Sequence, residues 1–181
     1  MDRVLVVVDM QNDFIDGSLG TPEAQKIVKP VADFMKTFIY KSDVVFCTKD
    51  THFESTYLNT QEGKKLPVPH CIYGTKGHDF PEEIKVASEY VSALTPCKQT
   101  FGYKNWDNFG LSPKEIIVCG LCTDICVIAN VILLKTAFPE VPVIVMEDLC
   151  AGTTPEKHAA AIEVMKSLQI EIAKAENGEI K

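Results

Sequence analysis

The chain has 181 residues, 46% hydrophobic and 24% charged, which suits one globular α/β domain with room for a sizeable core. Its formal net charge of -7 argues against a nucleic-acid-binding surface. No apolar run is long enough to span a membrane, and the Val4–Val8 run after Met1-Asp2-Arg3 is too short for a signal peptide, so the expected compartment is cytoplasmic. In a reducing compartment the seven cysteines (Cys47, Cys71, Cys97, Cys119, Cys122, Cys126 and Cys150) are not expected to form a disulfide framework, and most read as small core residues.

Arg3 to Asp9 reads as a central parallel strand, a continuous Val/Leu run closed by a carboxylate. Gln11 to Ser18 reads as a loop. Thr21-Pro22-Glu23 starts a helix with Thr as N-cap and Pro at the first helical position. Ile27, Val28, Val31, Phe34, Met35, Phe38 and Ile39 form its inward face. Asp43 to Thr48 is the second strand. An irregular region follows over 49–77, and a structureless stretch of that length inside a domain points to function. A short helix is expected near Pro81 to Lys85, a third strand over Tyr90 to Cys97, and a helical turn over Asn105 to Phe109.

Ile116 to Cys119 is a buried strand that breaks at Gly120, and Thr123-Asp124 then opens a helix ending before Pro139. Val141 to Met146 is the next strand. Thr154-Pro155-Glu156 caps a helix with Ala161, Val164, Met165 and Leu168 inward, and Gln169 to Ala173 is the last strand. There is no internal repeat or interdomain linker, so 1–181 is read as a single domain. Strands alternating with helices predict a doubly wound, mostly parallel six-stranded sheet with helices on both faces.

In such a sheet the C-terminal strand ends share one edge, where sites are built. Asp9, Lys98 and Cys126 stand at three of those ends. Cys126 falls in the first turn of a helix, where free N–H groups and the helix dipole favour a thiolate. A thiol of pKa about 8.5 is mostly protonated at neutral pH. Asp9 would take its proton and Lys98 would stabilise the charged pair. Backbone N–H groups between Gly120 and Cys126 would hold an oxyanion. Taken singly, each residue also has an ordinary use: an Asp caps turns, a Lys is solvated, and a Cys packs. The spacing Cys119-x2-Cys122-x3-Cys126 also invites a metal-cluster reading, but Cys119 sits inside a buried strand, which would hold the thiols apart; paired-thiol chemistry between Cys122 and Cys126 is a further alternative, and both rank below single-thiol catalysis.

A second constellation lies in the 49–77 region: Asp50, His52, Glu62 and His70, a donor set that suits Zn²⁺, Fe²⁺ or Mn²⁺. Asp50 and His52 are two apart and share a side of an extended segment, and Pro67 and Pro69 stiffen the approach to His70. The competing reading is a polar surface loop whose histidines cap turns, which is also the reading given to His78. His158 is placed on an exposed helix face.

Val6-Val7-Val8-Asp9-Met10-Gln11-Asn12-Asp13-Phe14 resembles the opening motif of the isochorismatase-like cysteine hydrolases, and Gly120-Leu121-Cys122-Thr123-Asp124-Ile125-Cys126-Val127 resembles their nucleophile motif. Lys98 matches the remaining member of that family's Asp-Lys-Cys triad. Thr48-Lys49-Asp50-Thr51-His52 and Leu66 to Thr75 resemble the nicotinamidase branch. The resemblance implies Asp50, His52 and His70 as metal ligands, with Glu62 as fourth ligand ahead of Glu54. It implies one divalent ion, Zn²⁺ before Fe²⁺ or Mn²⁺, that holds a pyridine nitrogen. The implied reaction converts nicotinamide to nicotinate and ammonia, with the N–H groups of Cys122 and Cys126 as the oxyanion hole and a cis peptide at Leu121-Cys122. Phe14 and Leu121 are the implied substrate-binding residues, and helix packing into a homo-oligomer is a further family expectation. Two departures bear on substrate identity: Leu66-Pro67-Val68-Pro69 stands where the branch commonly has a Trp before Pro-Pro-His, the only Trp being Trp106 elsewhere, and Lys98-Gln99-Thr100-Phe101-Gly102 lacks the Ser often seen after the lysine. The alternatives are a metal-independent amidase acting on a carbamoyl or ureido amide, and a non-catalytic protein that retains the fold.

Overall fold

The computed structural model describes residues 3–176 and 178–181; Met1, Asp2 and Asn177, which the single-domain reading includes, lie outside them. Strand β1 (Arg3–Val8) has every residue after Arg3 buried, as expected of a strand covered on both faces. A short helix α1 (Asn12–Ile15) follows where a loop was expected. Helix α2 (Pro22–Met35) begins as predicted: Thr21 Oγ1 accepts from Ala24 N, a cap of about 1 kcal/mol. Its inward face is the expected one up to Met35; Phe38 and Ile39 lie past the helix end, Phe38 still buried and Ile39 exposed.

Strands β2 (Val44–Cys47) and β3 (Lys49–Asp50), helix α3 (Gln61–Lys65), helix α4 (Glu82–Tyr90) and strand β4 (Cys97–Lys98) come next. The third strand expected over Tyr90 to Cys97 is reduced to fragments. Tyr90 belongs to α4, Ser92 has a left-handed backbone, Leu94 makes a single bridge to Phe46, and only Cys97–Lys98 pairs, with Lys49–Asp50. Pro96 has no N–H to donate to a continuous ladder. The main sheet consequently has five parallel strands rather than six.

Strand β5 (Glu115–Leu121) runs past Gly120, and a π-type turn over Thr123–Val127 leads into α5 (Ile128–Ala137). Strand β6 (Val143–Ala151), helix α6 (Pro155–Ser167) and strand β7 (Glu171–Ala173) complete the sheet, and a hairpin of β8 (Ala175–Glu176) and β9 (Glu179–Ile180) follows. The α6 face is rotated from the expected one: Ile162 joins Ala161 and Met165 inside, while Val164 and Leu168 are exposed. The sheet order is β2-β1-β5-β6-β7, all parallel, with helices around it. The core is one cluster built on β1 and β5, joined by residues of α2, α5 and β6.

Candidate active site

The site forms where β1, β5 and the small β3–β4 ladder end. Val8 pairs with Gly120, so the chain leaves both central strands at the same edge, Asp9 from one and the Cys122–Cys126 turn from the other. Asp50 pairs with Lys98 in the second ladder, which brings those two side chains together. Asp9 itself has a left-handed backbone, φ 48°, a conformation that Asp tolerates better than most residues.

The three triad candidates meet. Lys98 Nζ lies 2.6 Å from Asp9 Oδ2 and donates to Cys126 Sγ at 3.6 Å. Thr48 Oγ1 donates to Asp9 Oδ1 at 2.6 Å, so one carboxylate oxygen is occupied. The other, Oδ2, is buried against the Lys98 ammonium, which engages only one of its two lone pairs. That leaves it a lone pair free to take a proton.

Burial pushes the Asp9 carboxyl above its ordinary value, against the pull of Lys98, which suits a general base. Burial also pulls on Lys98, but Asp9, Cys126 and Asp50 outweigh it and keep the ammonium charged. Burial raises the Cys126 thiol well above its ordinary range, Asp9 adds to this, and Lys98 opposes it. Burial thus works against the thiolate that a helix start would favour, which gives a neighbouring base a role. Cys126 is 5% exposed, and the turn that carries it is π-type rather than the first turn of an α-helix.

One atom from each of Asp50, His52, Glu62 and His70 falls within 4.8 Å of the other three. Asp50 Oδ2 is 3.1 Å from His52 Nε2 and 3.5 Å from His70 Nε2, and the Glu62 carboxylate is 3.8 Å and 3.6 Å from the same two nitrogens. His70 Nδ1 donates to Val68 O at 2.9 Å, which leaves Nε2 to face the cluster, the orientation common in metal-ligating histidines. Two carboxylates and two imidazoles aimed at one point fit a divalent cation. Glu54 is exposed and outside the group. His78 is outside it too, though buried rather than superficial, with Nε2 3.0 Å from Thr51 Oγ1. His158 is half-buried, 2.8 Å from Thr123 Oγ1.

A cavity of about 190 Å³ joins the two groups: Asp50, Glu62 and His70 line one part, Cys122 and Cys126 another, and Phe14 forms a wall. Leu121 does not reach it. It is the last residue of β5, fully buried in the core, because strand alternation turns its side chain away from the cavity that Cys122 faces. Trp106 does not reach it either. It is buried edge-on against Phe46 with ring centroids 5.5 Å apart. The open walls are Leu66 and Phe101, neither of which sequence reasoning had placed there. The peptide between Leu121 and Cys122 is cis.

Supporting residues also went unread. Gln11 is fully buried; its Oε1 accepts from Asp50 N at 2.7 Å and its Nε2 donates to Asp50 O and His78 O at 2.9 Å each. Asp13 Oδ2 accepts from Cys71 N at 2.7 Å and so fixes the turn that presents His70. Buried Asn130 donates to Cys126 O at 2.8 Å. Only Asn130 carried a local signal, a polar residue embedded in the apolar run Ile128 to Leu134.

A parallel α/β sheet whose strand edge gathers a carboxylate, an ammonium and a thiol beside a cation cage defines a class of layered α/β protein with a reactive site at one sheet edge. Within that class the sequence matches the family described as Isochorismatase domain over residues 3–177, and the chain belongs to that family. It is 28% identical over 190 residues to the nicotinamidase/pyrazinamidase of Mycobacterium tuberculosis, covering 94% of this chain and 97% of that one. A zinc complex of the pyrazinamidase of Pyrococcus horikoshii superposes with a TM-score of 0.79 at 26% identity, covering 97% of this chain and 100% of the other. The nicotinamidase/pyrazinamidase of Bacillus subtilis superposes with a TM-score of 0.83 at 23% identity, covering 96% and 100%. The chain falls in the nicotinamidase branch and is a hydrolase of the amide carbon–nitrogen bond.

Proposed function

We propose that this chain is a metal-dependent nicotinamidase, acting in the cytoplasm and releasing ammonia and nicotinate through a thioester on Cys126. The observation that carries this reading is the position of Lys98 between Asp9 and Cys126, at 2.6 Å and 3.6 Å, while the four-residue cation cage opens into the same cavity. Asp50, His52, Glu62 and His70 would hold the ion, with Zn²⁺ favoured by the donor set and Fe²⁺ or Mn²⁺ the alternatives. When bound, the ion supplies a Lewis acid that fixes a pyridine ring nitrogen. A metal-independent amidase would have no use for four converging ligand atoms.

The chain's own residues supply the rest. Asp9 Oδ2 takes the proton of the Cys126 thiol as the sulfur attacks the amide carbon, and Lys98 compensates the charge on both partners. The carbonyl oxygen becomes an oxyanion, with the N–H groups of Cys122 and Cys126 as its assigned donors. As the carbon–nitrogen bond breaks, Asp9 returns the proton to the leaving nitrogen and ammonia departs. Water then adds to the thioester and gives a proton to Asp9. The carbon–sulfur bond breaks, the acid leaves, and the sulfur regains its proton. Phe14 packs the ring; its own ring centroid is 5.5 Å from that of His70. The test is ammonia release from nicotinamide by the purified protein, before and after chelation. Turnover that is lost on chelation and restored by Zn²⁺, Fe²⁺ or Mn²⁺ is expected; no turnover in any metal-loaded form overturns the reading.

A further inference from the structure

Helix α5 begins Ile128-Ala129-Asn130-Val131-Ile132-Leu133-Leu134, and Asn130 is the one strongly polar side chain in that run. It is 0% exposed. A buried carboxamide is costly unless all its groups are paired, and here they are. Nδ2 donates to Cys126 O at 2.8 Å and, at the longer distance of 3.4 Å, to Phe101 O. Oδ1 accepts from Tyr103 N at 2.9 Å and from Trp106 Nε1 at 3.3 Å. Both donors and both acceptor lone pairs are used. One end of the group holds the residue that carries the sulfur. Oδ1, together with the second Nδ2 bond, holds the loop that begins just after Lys98 and carries Phe101, a wall of the cavity.

The loop lies close enough to α5 for that link to be rigid. A Cβ at Gly102 would stand 2.5 Å from Leu133 Cδ1, the end of a flexible side chain, and 3.2 Å from Ala129 O, so the two backbones approach closely. Trp106 anchors the far side through ring contacts with Phe46 and Tyr103. Among the described residues no other side-chain hydrogen bond ties the Cys126 backbone to this loop, and Asn130 lines neither the cavity nor the cation cage.

We propose that Asn130 is a positioning residue, whose carboxamide locks the carbonyl of Cys126 to the Phe101–Trp106 loop and so sets the sulfur against Lys98 and the cavity wall. This rests on the reading of Cys126 as the nucleophile. Displacing a nucleophile by a fraction of a bond length slows turnover by about 10- to 100-fold without removing the binding groups. The loss therefore falls on kcat rather than on metal content.

The test compares the parent chain with Asn130→Asp, which keeps the shape and the acceptors but loses the amide donors. Three quantities are measured on the folded, metal-loaded proteins: kcat and KM for nicotinamide, bound metal, and the rate at which iodoacetamide modifies Cys126 relative to exposed Cys97 in the same molecule. The expected result is a kcat lower by about 10-fold or more, a KM within about threefold, unchanged metal, and a Cys126 modification rate altered by at least about fivefold relative to Cys97. A kcat per folded molecule and a Cys126 rate both within about twofold of the parent overturn the proposal. If the Asp variant does not fold, Asn130→Ser, whose single hydroxyl cannot bridge Cys126 O and the loop together, is read by the same criteria. A parent chain inactive on nicotinamide would sink the substrate reading alone, since the alkylation ratio still decides the role of Asn130.

Discussion

Lys98 Nζ lies 3.5 Å from Asp50 Oδ1, and through that contact the triad and the cation cage share one buried charge network. Burial alone would raise Asp50, but hydrogen bonds from His52 and His70 and the charge of Lys98 hold its carboxyl well below the usual carboxylate range. Lys98 thus compensates two carboxylates, one for proton transfer and one for the cage.

Lys98→Met leaves Asp9 and Asp50 without their cation. Unpairing a buried charge costs about 3–5 kcal/mol, so urea unfolding should show a loss in that range along with loss of turnover. Adding Asp9→Asn should recover part of the stability and none of the activity. A double variant no more stable than Lys98→Met would mean that the Asp9–Lys98 pair is not coupled.

Cys126→Ala should abolish ammonia release by a factor of about 10³ or more, since the nucleophile is gone, while the thermal unfolding midpoint moves little because the side chain is small. Retained turnover would remove the covalent route.

His52→Ala should lower bound metal and raise KM together, measured by elemental analysis and steady-state kinetics. Cys126 should remain open to alkylation in this variant, because the triad does not include His52. Full metal occupancy with unchanged KM would remove the cage assignment.

Gly77→Ala should act at a distance. A Cβ there would run into the Asp13 carboxylate, which is held by Cys71 N and cannot simply swing away. The turn carrying His70 would shift, and loss of such outer support typically weakens metal affinity about 10- to 100-fold. Competition with a chromophoric chelator reads this directly; an unchanged affinity would mean that the turn is set by other contacts.

Native alkylation at pH 8, read by mass spectrometry, should modify Cys97, which is exposed, and spare Cys47 and Cys150. Burial pushes both of these thiols up to about 12, so they stay protonated through neutral pH and become reactive only as the pH rises towards that value or the chain unfolds. Labelling of Cys47 at the rate of Cys97 would show that the core opens.

Much of the fold was legible because its signals are local. The apolar runs of β1 and β5, the Thr-Pro helix starts at Thr21 and Thr154, and the carboxylate closing the first strand each depend on neighbouring residues and backbone sterics. The third strand was misjudged because Pro96 and the left-handed Ser92 break the ladder that composition alone suggests. The Asp50-x-His52 pair and Pro69-His70 were readable as ligand types.

What the sequence determined by itself was the alternation of strands and helices and the identity of the reactive side chains, because pattern and chemistry are carried by each residue and those beside it. What only the tertiary structure decided was which of them meet. It set Lys98 between Asp9 and Cys126, admitted Glu62 and left Glu54 outside, buried Leu121 and Trp106 away from the cavity, and gave Asn130 four partners. The reason is that contacts between distant segments depend on strand register and on how burial is shared across the sheet, and neither is encoded in any single stretch of the chain.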